Sequence, residues 1–131
     1  LRAAKFLVVC GSLNPVSREQ VRRAPRFDAI VSDARLAGDP RAIARSLARQ
    51  TRHALQAESY GALVVFGGDT ARAILEECGA RRLQPLGEAL PGVPVSALES
   101  GGRELALVTK AGGFGEPDVL ERIEAYLRET E

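Results

Sequence analysis

The chain has no tryptophan and no methionine, one histidine, two cysteines and a net charge of only +1 over 131 residues. A single histidine, His53, excludes clustered imidazole metal sites and leaves no basis for a histidine-centred triad. Cys10 and Cys78 are too few and too far apart for a disulfide framework. Each lies in an apolar setting, so the expectation is buried free thiols in a reducing, cytoplasmic compartment. The near-zero charge gives no field that would draw the chain to nucleic acid or to an anionic membrane. No apolar run approaches the roughly 20 residues that a membrane span needs, and no signal peptide is visible. Walker A and dinucleotide fingerprints, nucleophile elbows, zinc-ligand clusters and glycosidase-like carboxylate pairs are also missing. The first residue is leucine, which reads as a chain cut from a longer one or trimmed at its start.

Apolar residues make up 45% and charged residues 27%, the balance of one folded domain. Lys5 and Lys110 are the only lysines among 18 basic residues, so a lysine beside a loop stands out. Lys5 to Cys10 reads as a buried strand running into Gly11-Ser12. Asn14-Pro15 marks a turn, Ser17 is positioned to cap a short helix through Arg23, and Phe27 to Val31 is a brief strand. Asp39-Pro40 opens the longest helix, with Ile43, Leu47, Ala48 and Leu55 on one face and Arg41, Arg45, Arg49 and Arg52 on another. Ala62 to Phe66 is the clearest buried strand, and Ala71 to Cys78 the helix after it. Leu83 to Leu86, a loop from Gly87 to Gly92, Val93 to Leu98 and Leu105 to Thr109 follow, with a hairpin across Gly101-Gly102. Pro117 starts the last helix. The expected fold is α/β, three-layered, with a mostly parallel sheet, helices on both faces and an antiparallel portion near the C-terminus.

In such sheets ligands bind at the carboxyl ends of the strands. Gly67-Gly68-Asp69-Thr70 joins a strand to a helix there. Adjacent glycines let backbone N–H groups approach a bulky anion, and the helix end adds partial positive charge. Thr70 can bond a phosphate and Asp69 can reach a Mg²⁺ that accompanies a nucleotide. The same four residues read equally as a tight turn with an Asp or Thr cap. After Thr109, Lys110 stands beside Gly112-Gly113-Phe114-Gly115, where a lysine can act as a point charge on phosphate. Ser12 could donate to a phosphate or merely hold its turn, and Glu88 could orient a ribose or a metal-bound water.

Taken together, VVCGSLNPVSREQ at 8–20, LVVFGGDTARAIL at 63–75, LGEALPGVPVS at 86–96 and LVTKAGGFGEPDVL at 107–120 resemble the nucleotide-binding C-terminal domain of the four-carbon acid sugar kinases. The resemblance covers most of the chain and is thin between Ala24 and Tyr60. It implies an ATP-binding domain of a two-domain kinase, with Mg²⁺, whose sugar-acid-binding N-terminal domain supplies the catalytic carboxylate and lies upstream of residue 1. It places Ser12 at ATP and Gly67, Gly68, Asp69 and Thr70 in the family's phosphate-binding loop. It also places Lys110, Gly112 and Gly113 in the other nucleotide-binding loop and gives Glu88 a family counterpart. The interval from Ser12 to Gly67 is shorter than the family's by at least one βα unit. An open sheet edge or an uncovered apolar face is therefore expected, covered by a homodimer or by the missing domain. A degenerate or regulatory phosphate-binding module without turnover is the alternative.

Overall fold

The computed structural model describes residues 5–33 and 38–129. Ten elements follow in order: β1 (Lys5–Cys10), α1 (Pro15–Arg22), β2 (Asp28–Val31), α2 (Pro40–Ala57), β3 (Tyr60–Phe66), α3 (Gly68–Glu77), β4 (Arg82–Leu90), β5 (Val93–Ser100), β6 (Arg103–Lys110) and α4 (Val119–Glu129). They build one sheet in the order β2-β1-β3-β6-β5-β4. β2, β1, β3 and β6 run parallel, and β5 and β4 are antiparallel to their neighbours. This is the expected α/β sheet with its antiparallel C-terminal portion.

Strand alternation decides which side chains each helix pair covers. Phe6, Val8 and Cys10 of β1, Ala62, Val64 and Phe66 of β3, and Ala106 and Val108 of β6 pack with Val21, Leu120, Ile123 and Leu127 of α1 and α4. Leu7, Val9, Leu63, Val65 and Leu107 project from the opposite face onto Leu47, Ala48, Ala71 and Ile74 of α2 and α3. The central strands are buried on both faces and therefore carry continuous apolar runs.

Three boundaries differ from the sequence expectation. Asn14, not Ser17, caps α1: its Oδ1 accepts from Val16 N at 2.9 Å, with Pro15 next in the helix. Ser17 is instead buried within the helix. The stretch from Gly87 to Leu90, read as loop, continues β4 as an edge strand, and only Pro91-Gly92 turns the chain into β5. Gly87 fits there because a Cβ would stand 2.9 Å from the Tyr126 hydroxyl. Finally, α3 starts at Gly68 rather than Ala71. The strong helix signal at Asp39-Pro40 is met as expected, Asp39 accepting from Arg41 N at 3.0 Å. Among the described residues no helix is long and apolar enough to cross a membrane.

Candidate functional site

β1 and β3 are neighbours, and the chain leaves the carboxyl end of β1 towards β2 on one side and that of β3 towards β4 on the other, so the two connections diverge between them. This is the crevice in which open α/β sheets place ligands. Two backbone bonds carry the sheet ladder into the loops: Gly11 N donates to Phe66 O at 2.9 Å and Gly67 N to Lys110 O at 3.1 Å. The loops after β1, β3 and β6 consequently leave the sheet side by side.

Their close approach is set by residues without side chains. A Cβ on Gly11 would lie 1.8 Å from Thr70 Oγ1, which presses the β1 loop onto the first turn of α3. A Cβ on Gly113 would lie 2.1 Å from Asn14 Oδ1, which presses the β6 loop onto the cap of α1. Gln20, buried on α1, donates through Nε2 to Phe114 O at 2.9 Å and Glu116 O at 3.1 Å, fastening the same loop from below. Gly67 turns the chain into α3 at φ 117°, and Gly112 sits at φ 103°, values that other residues rarely adopt.

Gly68 is different. Its φ is not positive, and a Cβ there would meet nothing within 4 Å. Neither backbone conformation nor packing requires glycine at this position. It occupies the first turn of α3, whose N-cap, Gly67, offers no side-chain acceptor. The N–H groups of that turn are left for another acceptor, and the space a Cβ would fill is open. The alternative reading of Asp69 or Thr70 as the cap is not met.

Ser12, Gly67, Gly68, Asp69, Thr70, Lys110, Gly112 and Gly113 all lie at this end of the sheet. The Ser12 hydroxyl accepts from Asn14 N at 3.1 Å and keeps its own O–H to donate. Thr70 is buried between the two loops. The Asp69 side chain is 80% exposed and only 3.8 Å from Arg72 Nη1, so it is free to turn. It opens on a groove of about 610 Å³ between the first turns of α2 and α3, which Arg41, Arg45 and Arg72 also line. Among the described residues no group of three or more His, Cys, Asp or Glu could cage a metal. Asp39 and Glu76 line the same groove as Asp69, and an exposed carboxylate there fits Mg²⁺, which keeps most of its water and takes one or two carboxylates together with phosphate oxygens.

Glu88 also reaches this end of the sheet, but on edge strand β4. Its Oε2 accepts from Gly92 N at 3.1 Å and steadies the Pro91-Gly92 turn. Three strand spacings separate β4 from β3, about 14 Å, so Glu88 faces a different part of any ligand than Gly68 does. Phe114 bridges the interval: a Cβ on Gly92 would stand 3.2 Å from its Cζ. Lys110 differs most from expectation. It ends β6, and its ammonium is buried beneath the rim rather than exposed in the loop. Gly11, Asn14 and Gln20 were not distinguished as positioning residues by sequence. Asn14-Pro15 carried the usual cap signal, whereas nothing local marked Gln20.

Comparison with known proteins identifies the family. A family model described as a nucleotide-binding C-terminal domain matches residues 26–120. The D-threonate kinase of Bordetella bronchiseptica is 38% identical over 110 residues, covering 80% of this chain and 27% of the kinase. A 3-oxo-tetronate kinase of Pseudomonas fluorescens is 41% identical over 59 residues, covering 45% of this chain and 14% of that enzyme. A crystal structure of a domain of unknown function from Bordetella bronchiseptica, a domain-swapped dimer with bound citrate, superposes with a TM-score of 0.85 at 28% identity. That match covers 98% of this chain and 40% of the crystallised one. The chain thus spans about a quarter of the length of the threonate kinase it matches. It belongs to the nucleotide-binding C-terminal domain family that is related to threonate and tetronate kinases.

Proposed function

We propose that this chain is the ATP-binding domain of a kinase that transfers the γ-phosphoryl group to a hydroxyl of a four-carbon sugar acid of the threonate or erythronate kind. The observation that carries the reading is Gly68, a glycine that the fold does not need, at an uncapped helix start facing open space. The N–H groups of the first turn of α3 receive phosphate oxygens, and the helix end favours their charge. Ser12 and Thr70 border that space, Gly112 and Gly113 present backbone from the neighbouring loop, and Glu88 lies towards the far end of the nucleotide. Asp69 would hold the Mg²⁺ that accompanies the nucleotide, which would supply neutralisation of charge on the transferred group.

The acceptor hydroxyl and its general base belong to a sugar-acid-binding partner domain. On its own, this chain binds nucleotide and transfers nothing, because in-line positioning of the acceptor is a large part of phosphoryl-transfer catalysis. The crystallised relative's domain-swapped dimer and the exposed edge strand β2, with Val31 42% exposed, support a homodimer. A phosphate-binding module without turnover is the second reading, favoured by the short interval between Ser12 and Gly67.

The test is Gly68→Ala, with Mg²⁺–ATP binding followed by calorimetry. The added methyl meets no protein atom, so unfolding stability stays within about 0.5 kcal/mol of the parent. It does enter the path of the phosphate, and affinity falls at least about tenfold. Unchanged ATP affinity in a stably folded Gly68→Ala protein removes the first turn of α3 from the site. Phosphorylation of a four-carbon sugar acid, assayed with and without an added substrate domain, separates the kinase reading from the silent module.

A further inference from the structure

Lys110 is 1% exposed, one of the largest fully buried side chains, and it carries an ammonium group. By strand alternation it shares a face of β6 with Ala106 and Val108, the face that α1 and α4 cover. Its Nζ donates to Gly112 O at 2.8 Å and to Ser17 Oγ at 3.4 Å. It stands 5.2 Å from the centre of the Phe66 ring and 4.5 Å from that of Phe114. Gly115 closes the cage, since a Cβ there would lie 3.8 Å from Lys110 Cε.

No described carboxylate forms an ion pair with this ammonium. Its neighbours from α1, β3 and the loop are a hydroxyl, two rings and a carbonyl, none of which titrates. The nearby titratable group is the Cys10 thiol of β1, itself pushed up by burial. Burial drives the Lys110 pKa down, with only the Cys10 charge opposing. Buried charges in proteins are ordinarily paired, because desolvation costs several kcal/mol. Rings and neutral acceptors offset part of that cost without supplying a counter-charge. The cage lies directly beneath the loops that leave β1, β3 and β6, the ends of which are Cys10, Phe66 and Lys110 itself.

We propose that Lys110 is an unpaired buried cation whose counter-charge is the polyphosphate of the ligand, so that it is a positioning residue retained at the expense of the free chain's stability. The inference rests on the nucleotide-binding reading above. Lys110 acts from below: its charge attracts the anion through the rim, and its bond to the Gly112 carbonyl fixes the loop that the anion meets. It does not reach out as an exposed point charge, and no rearrangement of the cage is required. The free chain bears an imperfectly compensated ammonium, and the anion completes it.

The prediction is an opposite movement of two quantities. Lys110→Met keeps an unbranched apolar stem in the cage and removes the charge. The free protein then melts at the same temperature as the parent or about 3 °C or more higher. Affinities for inorganic tripolyphosphate and for Mg²⁺–ATP fall about tenfold or more. Lys110→Gln retains a donor for the Gly112 carbonyl without the charge and shows the same loss, whereas Lys110→Arg recovers part of the affinity. Calorimetry for both ligands and thermal unfolding of each free protein supply the readouts. A parent that binds neither ligand overturns the nucleotide reading and the inference together. A parent that binds, with Lys110→Met and Lys110→Gln binding equally well, overturns the inference alone. Marked destabilisation of both neutral variants, with no recovery in Lys110→Arg, makes Lys110 a packing residue and also overturns it.

Discussion

Replacing Gly11 by alanine tests whether the loop after β1 and the first turn of α3 form one unit. The added Cβ would stand 1.8 Å from Thr70 Oγ1, 2.9 Å from Thr70 Cβ and 3.2 Å from Leu47 Cδ1. Rotation of the threonine could relieve the first contact. The second is different, because Cβ is fixed by the α3 backbone, and relaxed carbon–carbon contacts lie about 3.5–4.0 Å apart. The helix start therefore moves away by roughly 0.6–1 Å, or the loop retreats by as much. Gly11 does not have a positive φ, so the cost is steric and not conformational. Overpacking of this kind costs about 1–3 kcal/mol, which for a chain of this size lowers the melting temperature by about 3–10 °C. The same displacement separates Ser12 from the Gly68 N–H, and ATP affinity falls with it. With no tryptophan in the chain, urea unfolding is followed by far-ultraviolet circular dichroism. In a double-mutant cycle, Thr70→Gly deletes both contacts, so the pair is less destabilised than the sum by about 0.5–2 kcal/mol. A Gly11→Ala protein as stable as the parent, or strict additivity with Thr70→Gly, refutes the close apposition of the two loops.

Gly113→Ala drives a methyl into the Asn14 amide, 2.1 Å from Oδ1, and so removes the cap of α1, costing about 1 kcal/mol or more. Because glycine is itself tolerated at helix caps, Asn14→Gly/Gly113→Ala should unfold at the same urea concentration as Asn14→Gly alone; a further loss contradicts the mechanism. Glu124 ties α4 to Arg26, which also lies 4.2 Å over Phe27, and pairs within the helix with Arg128 Nη2 at 3.0 Å. The Arg26 and Arg128 guanidiniums hold its carboxyl below the usual value of 4.5, so the ion-pair contribution is present above that pH and is lost as pH falls through the lower folded-state value. Glu124→Gln should therefore lose less stability than the parent between about pH 5 and pH 3, measured by urea midpoints, and parallel pH profiles would refute the assignment.

The elements legible in the sequence were those where local chemistry and tertiary packing agree. Asp39-Pro40 marks a helix start that the fold keeps, and FLVVC, ALVVF and LALVT are strands buried on both faces. β4 was only half legible because RLQPLGEAL contains a proline, a glycine and no buried residue. A proline has no N–H for the ladder, which an edge strand tolerates on its open side, and the bulges at Pro85/Gly87 and Glu88/Leu90 break the alternation that would have revealed it. Ser17 has the chemistry of a cap, but Asn14-Pro15 takes that position three residues earlier and turns Ser17 inward, onto Lys110. The same local view put Lys110 in a loop, although counting by twos from Ala106 through Val108 already places it on the face beneath α1 and α4.

The glycine loops show why a candidate site needs packing as well as motif. As sequence, the three loops each set glycine beside a strand end. In the fold, Gly11 and Gly113 are required by Thr70 and Asn14, and Gly67 and Gly112 by their backbone conformation. Those four would be glycine in a tightly joined rim that bound nothing. Gly68 alone among these loop glycines has neither reason, and it lies where a helix start lacks an acceptor. Polar backbone left open at that point is costly unless water or a ligand satisfies it, and water needs no missing side chain to reach an exposed turn. A bulkier acceptor does. Gly68 thus differs from the four structural glycines in leaving the first-turn N–H groups of α3 open to an acceptor larger than water.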